Sequence, residues 1–219
     1  MAEYEVTRRN RVRQIREYGL YDEEAVHEVL DAGFVGHVGF VDGGQPFVIP
    51  MLYAREGGTL YLHGARKARI VKLLASGAPV CINVTLLDGI VAARSAFNSS
   101  MNYRSVVVFG SGHMLEDEGD ILHALEVVSE HVFPGRWREL RAPSEREIAM
   151  TGVVAITIES ASAKVADDPP EDEEADYATR VWAGVVPITM TLGGPIDDGR
   201  VPDGVPMSPA IAALEGKRV

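Results

Sequence analysis

The residues best suited to do chemistry lie between positions 60 and 72. Leu60-Tyr61-Leu62-His63 alternates like a β-strand and runs into Gly64-Ala65-Arg66-Lys67-Ala68-Arg69, where a helix is predicted from Arg66 to about Ser76. A small-residue turn at a helix start offers free backbone N–H groups, and Arg66 and Lys67 add charge-assisted donors, with Lys72 in the same basic cluster. Such a cradle suits a phosphate monoester. The pattern is equally that of an ordinary basic helix face, and a histidine such as His63, taken alone, is more often a barrel-rim side chain than a catalyst.

Other catalytic signatures are missing from the text. There is no nucleophile elbow, P-loop, dinucleotide fingerprint or HExxH. Histidines 27, 37, 63, 113, 123 and 131 show no tight ligand spacing apart from His123 and His131, eight apart on one predicted helix, so no metal site is expected. The single cysteine, Cys81, sits in an apolar run and is expected to be a small buried residue in a reducing compartment.

The elements that must position the turn follow from periodicity. Asp22 caps a helix through Val26, Val29 and Leu30 that Gly33 ends. Strands are expected at Phe34 to Val41, Phe47 to Arg55 and Thr59 to His63, joined by Asp42-Gly43-Gly44 and Glu56-Gly57-Gly58, which are hairpin signals. Further strands are expected at Val80 to Ala92, Tyr103 to about Leu115 and Val153 to Ile158, with a helix from about Asp120 to Val132. The run from Ala166 to Glu174 reads as a solvated acidic loop, Arg180 to Leu192 as a last β-like run, and residues 193–219 as an extended tail. About six strands with peripheral helices point to a mainly β, antiparallel barrel occupying residues 21–192, preceded by an arm, residues 1–20, carrying Arg8, Arg9, Arg11, Arg13 and Arg16.

With 219 residues, 46% hydrophobic and 24% charged, the chain has the composition of a globular protein. A net charge of −11 argues against a nucleic-acid partner, leaving the arginine arm as a tether on an acidic neighbour or partner subunit. No apolar stretch of about 18 residues and no secretory layout occurs, so the expectation is a cytoplasmic protein with no membrane partner.

The segment Leu60 to Ala68, followed by Leu73 and Val80 to Val84, resembles the flavin phosphate segment of the pyridoxamine-phosphate-oxidase-related, FMN-binding split β-barrel superfamily. The likeness is closest to its flavin-nucleotide-binding branch, which includes the nitroimidazole-resistance proteins. Tyr103-Arg104-Ser105-Val106-Val107-Val108-Phe109-Gly110, Pro134 to Pro143 and Val181-Trp182-Ala183-Gly184-Val185-Val186-Pro187 extend the likeness over roughly Tyr21 to Leu192.

The resemblance implies an oxidoreductase in which FMN, or alternatively FAD, haem or a deazaflavin, serves a small-molecule substrate; a flavin-storage protein without turnover is the rival reading. It implies a homodimer with flavin at the interface. The implied site has Gly64, Ala65, Arg66, Lys67 and Lys72 at the phosphate, and the backbone of Ile49, Pro50, Met51, Leu52 and Tyr53 along the ring. Arg104, Ser105 and Val106 come from a neighbouring strand, Trp182 from near the chain end, and His63 beside the flavin as the catalytic candidate. The arginine signature that reads pyridoxal phosphate is not found, and Ser162-Ala163-Lys164-Val165 leads into Ala166-Asp167-Asp168 without the branch's usual arginine and glycine. Vitamin B6 oxidation is therefore not expected.

Overall fold

The computed structural model describes residues 2–218. Asp22 accepts the Ala25 N–H through its side chain and starts α1 (Glu23–Ala32), whose buried face is Val26, Val29 and Leu30. Strands β1 (Gly19–Leu20), β2 (Val35–Asp42), β3 (Gln45–Glu56), β4 (Thr59–Ala65), β5 (Val80–Ala92), β6 (Ser100–Met114), β7 (Thr151–Ala166) and β8 (Gly184–Pro187) make one antiparallel sheet. Its order is β1-β7-β4-β3-β2-β5-β6; β6 pairs back on β7 to close a barrel, and β8 pairs with β5. Gly43 and Gly44 both take positive φ, which gives the Asp42–Gln45 hairpin the turn that matches strand twist.

Alternate residues point inward, so Val38, Leu60, Leu62, Ile82, Val108 and Ile156 fill the barrel. Closure depends on a close approach between β6 and β7. At the register shift beside Phe109, a Cβ on Gly110 would lie 2.0 Å from the Thr157 carbonyl oxygen, so only glycine fits. Helices α2 (Arg69–Ala75), α3 (Glu118–Val132), α4 (Glu145–Met150) and α5 (Pro209–Ala212) lie outside the strands.

The closed ring is the expected six strands, β7-β4-β3-β2-β5-β6, with β1 and β8 pairing outside it, and several boundaries move. The seventh strand runs from Thr151 to Ala166 because β6 pairs with it nearly throughout. Of the run Arg180 to Leu192, only Gly184–Pro187 finds a partner strand. Helix α4, absent from the expectation, is announced by Ser144 and Glu147, whose side chains cap each other's backbone N–H. The tail is not extended: Ser208 caps α5 and bonds Glu139, and the Leu192 N–H reaches the Lys217 carbonyl. Nor is the acidic run wholly solvated, because the buried Asp172 carboxylate pairs with Arg94 at 3.1 Å and accepts its N–H at 2.8 Å. No helix among the described residues is long and apolar enough to cross a membrane.

Candidate functional site

Strand β4 turns Leu60 and Leu62 into the core and Tyr61 and His63 to the opposite face. Its ladder with β7 does not stop at Ala65, since the Arg66 N–H donates to the Met150 carbonyl at 2.9 Å. The Ala68 N–H then closes a turn on the Ala65 carbonyl at 2.8 Å. These two bonds hold residues 66 and 67 out of helical geometry, so α2 begins at Arg69, three residues later than expected. Arg66 and Lys67 stand on the turn itself. Across the ladder, a Cβ on Gly152 would lie 2.5 Å from Val71, so glycine there lets α2 sit down against the strand ends.

The charges at this turn are not equivalent. The Arg66 guanidinium bonds Glu116 at 2.7 Å, a pair largely open to solvent. Arg69 lies over the Phe47 ring at 4.2 Å and near Asp42 at 3.7 Å. Lys67 and Lys72 are exposed and meet no carboxylate among the described residues. His63 differs from all of them. Its Nδ1 is buried without any hydrogen-bond partner, and burial pushes the imidazole pKa below its ordinary value, which favours the neutral ring. A buried polar atom without a partner is uncommon in folded proteins and sets His63 apart from the exposed charges of this segment.

Strand β3 supplies the second feature. It pairs with β2 from Gln45 to Leu52, whereas its pairing with β4 covers only Tyr53 to Glu56. One edge of β3 is therefore unpaired by any strand from residue 45 to 52. The Tyr53 N–H points to β2, where it meets the Phe34 carbonyl. By alternation, residues 46, 48, 50 and 52 direct their peptide groups to the open edge. Two of these are Pro46 and Pro50, which lack an N–H and are tolerated at an edge. Their spacing was the available sign of an edge strand.

The remaining predicted residues separate by face. Pro50 and Leu52 point outward and are exposed; Ile49 and Met51 pack against the core. The side chains of Tyr53 and Val106 are fully buried in the barrel, and the Tyr53 hydroxyl donates to the Leu30 carbonyl at 2.6 Å. Ser105 is half-buried on the outer face, between Thr85 of β5 and Lys164 of β7. Arg104 is held by both carboxylate oxygens of Asp88, at 3.0 and 2.8 Å. Cys81 is half-buried, also on the outer face rather than in the core.

Trp182 is exposed and precedes β8, which pairs with the end of β5 beside Ser100. The turn at Lys67 lies near the other end of β6, where Met114 faces β7. Those ends are 14 residues apart, about 45 Å of strand, so one chain does not bring Trp182 to the turn. Two features were not foreseen. Glu116 is 50 residues distant from its partner and carries no local signal. His37 is exposed on the outer face, opposite Pro50 and Asn83, with Val35 and Val41 on the same face of its strand; the alternation Val35-His37-Gly39-Val41 was the readable sign.

A family model described as pyridoxamine 5'-phosphate oxidase matches residues 22–165. No curated protein matches the chain. Among solved structures, the flavocytochrome Anf3 from Azotobacter vinelandii is 38% identical, with a TM-score of 0.90, covering 96% of this chain and 98% of its own. The FAD and haem binding protein from Mycobacterium smegmatis is 34% identical, with a TM-score of 0.87, covering 91% of this chain and 98% of its own. A Bacteroides thetaiotaomicron protein assigned to 5-nitroimidazole antibiotic resistance shares the fold at 23% identity and a TM-score of 0.57, over 66% of this chain and 84% of its own.

Proposed function

The chain belongs to the pyridoxamine 5'-phosphate oxidase family, and from that membership we propose that it binds a flavin and exchanges hydride or electrons with a small-molecule substrate. The observation that carries this reading is the near-complete correspondence with a flavocytochrome and with an FAD and haem binding protein. The residues at the turn fit a phosphorylated flavin: Lys67 offers an unpaired cation, Arg66 a guanidinium only weakly held by Glu116, and His63 an unpartnered buried nitrogen. Lys72 adds charge one helical turn further on.

The bound flavin supplies the hydride and electron chemistry, and the chain supplies binding, orientation and proton control. The open edge of β3 offers the Val48 N–H and the carbonyls of Val48 and Pro50 to a polar ring edge. His63, neutral near pH 7, offers Nδ1 as a hydrogen-bond or proton partner. FMN needs only the phosphate clamp; the longer FAD is accommodated because Lys67 and Lys72 face solvent. A second copy of the chain completes the site. The exposed apolar side chains Val35, Val48 and Leu52 form its docking face, and the copy brings the distant Trp182 to the first chain's flavin.

Haem binding is the second reading, favoured by His37: an imidazole with no hydrogen-bond partner among the described residues stands on an exposed, largely apolar sheet face, where it would hold the haem iron. Absorption spectra of the purified protein test both readings, with extraction to identify the flavin and anaerobic titration with NADH and NADPH. Flavin bands that bleach and recover in air support the redox reading. A protein that binds neither FMN nor FAD on reconstitution overturns the flavin assignment, and bound flavin that no donor reduces makes the chain a storage protein. A Soret band lost in His37→Ala while flavin bands persist supports the haem ligand; its survival in that variant removes His37 from the role.

A further inference from the structure

The arginine arm does not trail from the barrel as a tether. Asn10 is buried: its side-chain oxygen accepts the Thr7 N–H at 2.7 Å, and its side-chain nitrogen donates to the Ala161 carbonyl at 3.0 Å. Arg9 bonds Ser160 and Glu159 and lies 5.2 Å over the Phe109 ring, while the Val12 N–H donates to the Tyr21 hydroxyl at 2.8 Å. The chain then doubles back. Gly19 comes so close to Val12 that a Cβ there would lie 2.9 Å from it, and Ile15, at φ +50°, is the one non-glycine residue among those described with positive φ.

This fold-back aims Arg8, Arg11, Arg13 and Arg16 into one cavity of about 290 Å³. None of the four meets a carboxylate among the described residues, although their neighbour Arg9 does. The acidic run after β7 passes beside the arm, yet its Asp168 accepts the Tyr18 hydroxyl at 2.6 Å instead of pairing with an arginine. Four guanidiniums of like charge are thus held together without a counterion from the chain, in a protein whose net charge is −11. All four are exposed, so water and salt screen their repulsion, but a compact, highly charged anion would pair with several at once, and guanidiniums suit the paired oxygens of phosphates.

We propose that this pocket binds the diphosphate of a nucleotide. The volume lies at the lower end of the roughly 300–1,000 Å³ of small-ligand sites, so it takes the diphosphate head and leaves the rest of the nucleotide outside. A strand of nucleic acid fits less well, because the site is one concave spot on an acidic protein rather than a basic stripe. The diphosphate comes from a free nucleotide: Asn10 docks the arm at Ala161, ten residues along β7 from Thr151 beside the turn, about 30 Å of strand, so the pocket is separate from the flavin phosphate site.

Calorimetry on the protein as purified, with ADP, pyrophosphate, AMP and adenosine, tests the proposal. ADP and pyrophosphate should bind once per chain, AMP more weakly and adenosine not at all, with affinity falling as salt rises. Arg13→Gln with Arg16→Gln should weaken ADP about 100-fold, roughly tenfold for each arginine, and leave the melting temperature unchanged, because both side chains are exposed. The proposal is overturned if ADP does not bind, if ADP binding does not respond to the substitutions, or if a 12-nucleotide single strand binds through these arginines while ADP does not. A protein that proves to hold no flavin still reports on the pocket through ADP, so the two readings fail separately.

Discussion

Removing the charge of Lys67 should weaken a phosphorylated flavin more than removing that of Arg66, and removing Glu116 should strengthen it. Lys67 is exposed and free of carboxylates, so its ammonium can be given wholly to a phosphate. A hydrogen bond to a charged group contributes about 1.5–3 kcal/mol, which corresponds to a loss of about 10- to 150-fold in affinity for Lys67→Ala. Arg66 already donates to Glu116, and with the pair 36% and 70% exposed that contact contributes at most about 1 kcal/mol. A phosphate can therefore recruit Arg66, but the carboxylate stays beside it and offsets part of the attraction. At about 7 Å in a water-like dielectric the repulsion is roughly 0.6 kcal/mol per unit charge, so Glu116→Gln should tighten binding about two- to fivefold at low salt. The assay is titration of FMN into flavin-free protein, followed by quenching of flavin fluorescence at two ionic strengths. Riboflavin, which has no phosphate, is the control and should respond to none of the three substitutions. Affinity for FMN within twofold of the parent in both Arg66→Ala and Lys67→Ala would remove the phosphate from this turn, as would a riboflavin response equal to that of FMN.

Tyr53→Phe should destabilise the fold by about 1–3 kcal/mol, because the Leu30 carbonyl at the end of α1 loses the buried hydroxyl that satisfies it; at roughly 2–4 °C per kcal/mol for a chain of this size, the melting temperature should fall measurably, and an unchanged value would mean water replaces the hydroxyl. The pH dependence of stability should carry a contribution from His63. Its pKa in the folded protein lies below the ordinary 6.5, so between the two values the unfolded chain binds a proton that the folded one does not. Stability is then complete above about pH 6.5 and falls as pH drops through that window. His27 acts in the same sense, whereas His123, raised by its bond to Glu56, acts in the opposite one from an exposed position. Thermal melts from pH 7 to pH 5 should show a shallower loss in His63→Gln than in the parent, and parallel profiles would place the His63 proton outside this account.

Local pattern was enough to read the barrel and the basic turn that leads into α2. Asp22 as a cap, Val26, Val29 and Leu30 as one helical face, and the glycine hairpins at positions 43 and 57 each state their structure within a few residues, because capping, helical period and positive φ are local matters. The likeness of His63 to Lys67 to a flavin segment was legible for the same reason. What lay beyond reach was set by partners distant in the chain. The helix after Lys67 starts late because Arg66 is drawn to Met150; Arg66 is shared with Glu116; and Tyr53 and Val106 belong to the core through strand register that motifs do not reveal. Trp182 lies far from the turn because β8 pairs at the opposite end of β6. The arginine arm, visible in the sequence only as a run of charge, became a pocket because Asn10 docks it on β7 and the chain doubles back between Val12 and Gly19. Periodicity and capping act between neighbours in the chain, whereas the convergence of charges on one cavity is decided by long-range packing.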